Sequence, residues 1–186
     1  MSAEILNNTL SVGKDLIVNG TTYGLKREVI RQTSSDATTT LTVAQSGALI
    51  LCDENTSDEW AITLPAITSD DIGVTYEFFQ TVASVYPRSV TTAYDNDYFI
   101  GGVVNVFDAA GDTDVLVGHV STGSTDTSLR FDDNDTNAGG GVGARVVLTA
   151  VLAGNTEDGG GSKFVWAVSG NKVAQAITDT GADFFQ

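Results

Sequence analysis

His119 is the only histidine in this sequence and Cys52 the only cysteine. A Ser-His-Asp or Cys-His site would have to recruit one of them. His119 stands in Val117-Gly118-His119-Val120 with no nucleophile motif beside it, and Gly-x-Ser-x-Gly occurs nowhere. It reads as a structural or surface histidine. Cys52 closes the apolar run Leu49-Ile50-Leu51-Cys52 and reads as a small buried hydrophobe. A single cysteine excludes an intrachain disulfide.

Hard-oxygen ligands come closest to a pattern at Asp133, Asp135 and Asn137, which have the 1-3-5 spacing of a calcium loop. The sixth position is Ala138 where such a loop needs Gly, and the twelfth is Ala144 where it needs a bidentate Glu. The segment reads as a solvated turn, and no metal site or cofactor is expected. Gly139-Gly140-Gly141-Val142-Gly143 lacks the Lys-Ser/Thr of a phosphate loop and precedes a strand, so it reads as a mobile loop. Paired carboxylates could cleave glycosides, but 24 acids supply arbitrary pairs and so single out none. No catalytic residue emerges, and the chain is not expected to be an enzyme. Aromatic side chains offer flat faces to sugars. Tyr94 and Tyr98, in the loop Tyr94-Asp95-Asn96-Asp97-Tyr98, are the ligand-binding candidates, whereas Trp60 and Trp166 alternate within strands and read as core.

Positioning these residues is the work of short strands. The chain holds 20 Gly, one Met and only nine Lys plus Arg, and its Val- and Thr-rich runs favour strands joined by Gly/Asn/Asp turns. Alternation appears at Leu41 and Val43, at Trp60, Ile62 and Leu64, and at Val74, Tyr76 and Phe78. Further strands are expected over 88–93, 98–107, 115–120 and 127–131. Arg145 to Leu152 and Lys163 to Val168 form two more, joined by the Gly-rich hairpin loop 154–161. About ten short strands at this spacing indicate an all-β fold, an antiparallel β-sandwich or barrel, with an extended N-terminal arm. The expected division is an arm over 1–36, a body over 37–173 and a tail over 174–186.

The formal charge is −15. Residues 1–36 are neutral, with Lys14, Lys26, Arg27 and Arg31 balancing four acids, so all excess negative charge falls on 37–186. Such a surface repels nucleic acid and anionic membrane, and neither is an expected partner. The start, Met-Ser-Ala-Glu-Ile-Leu-Asn-Asn, has no basic and apolar leader pattern, so synthesis in a cytoplasm without an export signal is expected. In the arm, Leu10, Val12, Leu16 and Val18 share one face of an extended chain. Such a strand must lie on another surface. With Lys26, Arg27, Arg31 and the terminal pair Phe184 and Phe185, these residues form the expected interface.

Three phrases carry a resemblance. Leu10-Ser-Val-Gly-Lys-Asp-Leu-Ile-Val-Asn-Gly-Thr-Thr22 resembles the "L-x-V-x-G-x-L-x-V-x-G" phrases near the start of phage fibre and appendage proteins. Thr40 to Leu51, followed by Ile62-Thr-Leu-Pro-Ala66 and Gly73-Val-Thr-Tyr-Glu-Phe78, is similar to a module of phage structural proteins, closed here by Phe164-Val-Trp-Ala-Val-Ser-Gly170. The chain thus resembles small β-structured virion proteins of tailed bacteriophages, especially marine and cyanobacterial ones. The resemblance implies location in the virion and homotrimeric assembly. The small size points to a capsid decoration (cement) protein, which binds the major capsid protein and stabilises the shell through its arm. The alternative is a tail fibre or appendage protein that binds a receptor or carbohydrate.

Overall fold

A computed structural model describes residues 27–32, 38–53, 60–83, 88–94, 97–107, 115–121, 126–131, 140–153, 163–174 and 184–185. Within them lie the strands β1 (Val29–Gln32), β2 (Thr38–Thr40), β3 (Leu49–Cys52), β4 (Trp60–Thr63), β5 (Thr75–Gln80) and β6 (Arg88–Thr91). The chain continues through β7 (Tyr98–Phe107), β8 (Val115–Val120), β9 (Ser128–Phe131), β10 (Arg145–Ala153) and β11 (Lys163–Ala174). Two mixed sheets result, one in the order β1-β3-β5-β10-β11-β7-β8 and one in the order β2-β4-β6-β9.

The first six strands alternate between the sheets, and within each sheet they run parallel: β1-β3-β5 in one and β2-β4-β6 in the other. Each pair of consecutive strands therefore makes one coil, and three coils stack. Register places Ile30 beside Ile50 and Ile50 beside Phe78 in the larger sheet. In the smaller sheet Thr39, Ile62 and Val90 align in the same way. Similar corners recur from coil to coil. Thr42 with Gln45, and Thr68 with Asp71, form capping boxes on the 3-10 turns Val43–Gln45 and Ser69–Asp71. Each turn is followed by a left-handed glycine, Gly47 at φ 85° and Gly73 at φ 94°. The amide of Leu41 bonds the Thr63 carbonyl and that of Leu64 the Thr91 carbonyl, tying each corner to the next coil.

The stack ends where pairing reverses. β10 lies antiparallel on β5 and β9 antiparallel on β6. β11 returns as a hairpin from β10, β7 joins it in parallel, and β8 folds back on β7. Buried side chains from both sheets form one cluster, with Ile50, Tyr76, Phe78, Leu148 and Trp166 from the larger and Ile62, Val90, Leu129 and Phe131 from the smaller.

Several sequence expectations are corrected here. Pairing is not generally antiparallel, because successive strands cross between sheets and stack in coils. Among the described residues neither sheet closes into a barrel, since β1 and β8 end the larger one. β1 lies within the segment read as an arm, so its last residues belong to the body. Val43 begins a 3-10 turn and does not extend a strand. Gly140–Gly143, the described part of the loop read as mobile, is anchored: Gly141 N–H bonds the Val173 carbonyl and Gly143 N–H the Gln80 carbonyl.

Candidate functional site

Cys52 is fully buried on β3, and burial pushes its thiol up to about 12. It is not a thiolate nucleophile. In register, Gln32, Cys52 and Gln80 form a row across β1, β3 and β5. Arg88, 2% exposed on β6, reaches this row: its Nη1 donates to Gln80 Oε1 at 2.7 Å and lies 3.5 Å from the Cys52 carbonyl oxygen. Burial lowers the guanidinium's pKa. The Gln80 amide oxygen and the Cys52 carbonyl both solvate this buried cation, and the nearby Asp53 carboxylate favours its charge.

No group of three or more His, Cys, Asp or Glu able to hold a metal occurs among the described residues. Asp133, Asp135, Asn137 and Ala138 lie outside them, while Ala144 is buried in the turn before β10. His119 lies on β8 and Trp60 on β4, with their side chains outside the described set. Trp166 is fully buried, as its strand pattern indicates. Tyr98 is 6% exposed and cannot present a face to a sugar, whereas Tyr94 is 62% exposed at a bend. A pocket of about 80 Å³ lined by Arg27, Ala48, Thr75, Tyr76 and Glu77 is far below ligand size.

Four residues of the expected interface are described, and all four make contacts within the chain. Leu10, Val12, Leu16, Val18 and Lys26 lie outside the described residues. Arg27 donates twice to Glu77 Oε2, at 2.7 and 2.8 Å, and Arg145 Nε donates to Glu77 Oε1 at 2.6 Å. Arg145 first, and Arg27 with it, hold the Glu77 carboxyl below its ordinary pKa. Arg31 pairs with Asp53. The acidic surface suited to these two arginines is thus the chain's own body. Phe184 and Phe185 are buried as well, Phe185 bridging Leu129 on β9. The tail pair is a plug for this core and not an exposed peg, because its rings find an apolar socket beside Phe131.

A surface that sequence reasoning missed lies on β7 and β8. Val104 is 44% exposed, Val106 37% and Val120 78%. Register puts Val104 opposite Gly118, Val106 opposite Leu116 and Gly102 opposite Val120, with Asn171 and Val173 of β11 alongside. Strand alternation places Val104, Val106, Val120, Asn171 and Val173 on the outer face of the sheet, and none is charged. The opposite face takes Val103 and the fully buried Asn105. Valines outside and an asparagine inside invert the usual pattern. The run Val103-Val104-Asn105-Val106 shows that anomaly in sequence, but not which side faces water.

Against known proteins the result is brief. No protein family, curated protein or solved structure matches the chain. No helix among the described residues is long and apolar enough to cross a membrane.

Proposed function

We propose that this chain is a structural protein of a tailed-phage virion, a capsid decoration protein that binds the major capsid shell. The body in this reading is a two-layer sandwich whose outer valine face does the docking. The observation that carries the proposal is that face: Val104, Val106 and Val120 exposed together on a chain of net charge −15. Apolar area without charge is what a buried interface core requires. Each valine covered by the shell contributes only the still-exposed share of the roughly 1.5–3 kcal/mol of a fully buried side chain, and many copies on one lattice multiply such weak contacts. The acidic remainder keeps decorated particles apart by repulsion. Arg27 and Arg31 fasten the start of the body to itself and leave the docking to β7 and β8.

Co-sedimentation with purified phage capsids tests this. The intact chain pellets with shells, and Val104→Asp with Val106→Asp stays in the supernatant while its melting curve is unchanged. Equal pelleting of both proteins would overturn the proposal.

A second reading, a tail appendage that binds carbohydrate, is favoured by the exposure of Tyr94 alone. Glycan-array binding that is lost in Tyr94→Ala would select it over shell docking.

A further inference from the structure

Four strands end the two sheets, and three of them have their outer edges managed. β1 has four residues, with Arg31 within it and Arg27 and Glu28 just before it. β2 has three residues. β9 is covered by the tail: Phe185 bridges Leu129, and Arg130 N–H donates to the Phe184 carbonyl at 2.9 Å. β8 differs. It runs six residues, Val115-Leu-Val-Gly-His-Val120, without a Lys, an acid or a proline, and no strand among the described residues pairs with its outer side. Natural sheets protect such edges with charge, proline, shortness or a cover unless the edge is used.

The ladder shows which backbone groups are available. Ser121 N–H bonds the Gly101 carbonyl, directed at β7. Antiparallel alternation then turns the N–H and C=O of Val120, Gly118 and Leu116 to the outer edge. Gly118 is the middle one of these three.

We propose that β8 pairs antiparallel with β8 of a second copy, about a two-fold axis through Gly118. Leu116 of one chain then lies opposite Val120 of the other, and about six backbone hydrogen bonds close the seam. The strand's composition specifies a copy of itself as occupant. Chains that each carry −15 repel, so self-association requires a contact free of charge, and β8 is the long edge that provides it. The larger sheet becomes continuous across the pair, and the two valine faces join into one surface of doubled width. An antiparallel edge seam closes after two copies, unlike the trimer that the resemblance implies. The pairing rests on the decoration reading only for the use of that widened face.

Analytical ultracentrifugation of the full chain tests the pairing without any capsid. The intact chain sediments as a dimer, and added salt tightens it by screening the repulsion. Gly118→Ala leaves it paired, since a Cβ at this position meets nothing within 4 Å. Gly118→Pro removes an outward N–H without touching the bonds to β7 and yields a monomer. Gly118→Asp sets two carboxylates against each other at the axis and weakens the dimer by about tenfold or more at low salt. Far-ultraviolet dichroism checks that each variant is folded. A monomeric or trimeric intact chain, or a folded Gly118→Asp variant that dimerises normally, would overturn the pairing. Dimers that fail to pellet with capsids would instead overturn the decoration reading and leave the seam standing.

Discussion

The ring of Phe184 meets the ring of Phe131 edge-on, with centroids 5.4 Å apart. Phe185 packs edge-on against Phe184 at 5.0 Å, and Lys172 Nζ sits 5.2 Å from the Phe184 centroid. The C-terminal pair therefore completes the core between β9 and β11. Phe184→Ala should cost about 3–5 kcal/mol of unfolding free energy, measured by urea denaturation. A change within about 0.5 kcal/mol, as expected for a surface residue, would contradict this placement.

The buried Arg88 depends on Gln80. Gln80→Leu removes the acceptor at 2.7 Å and leaves the cation under-solvated, a loss of about 2–3 kcal/mol. Adding Arg88→Met should recover much of that loss, because the charge and its desolvation cost disappear together. Stability of the single and double variants checks the coupling. Purely additive losses would show that the two side chains act independently.

Acid and alkali should act through different groups. Glu77 titrates below its ordinary 4.5 when folded, because Arg145 and Arg27 bind the carboxylate. Its contribution is present above pH 4.5 and is lost as the pH falls below that value. Glu77→Gln should flatten the acid limb of stability against pH. Cys52 has the opposite sign: its pKa rises from 9.0 to about 12, so its contribution is complete below pH 9 and is lost as pH climbs toward 12. Cys52→Ala should flatten the alkaline limb. In the native protein the thiol should also resist an aqueous thiol reagent at pH 8 and react only upon unfolding.

Gly170 faces its neighbour with no room for a side chain. A Cβ there would lie 2.1 Å from the Arg145 carbonyl oxygen, and the residue has φ 137°. Gly170→Ala should therefore destabilise by about 1–3 kcal/mol or more, read as a lower melting temperature. The sequence phrase ending in Gly170 thus has a packing reason, the close passage of β11 against β10.

Much of the secondary structure was legible beforehand because alternation is local. The stretches 98–107 and 115–120 match β7 and β8, and the Gly-rich segment 154–161 does separate the hairpin strands β10 and β11. Tyr76 and Phe78 share the inner face of β5 as their spacing requires. The candidate site was not legible in the same way. Tyr94 and Tyr98 look equivalent in sequence, yet only Tyr94 reaches solvent. Arg27 and Arg31 look like an unengaged basic cluster until Glu77 and Asp53, far along the chain, come beside them.

Composition and spacing by themselves determined that this chain forms strands and where most of them lie. A period of two fixes which side chains share a face, and that information is carried by nearest neighbours. Pairing direction, the stacking of β1 to β6 into coils, the burial of Phe184 and the exposure of Val104, Val106 and Val120 were decided only by tertiary structure. The reason is that alternation is the same for parallel and antiparallel partners and for either face of a sheet. Only packing against distant strands distinguishes them.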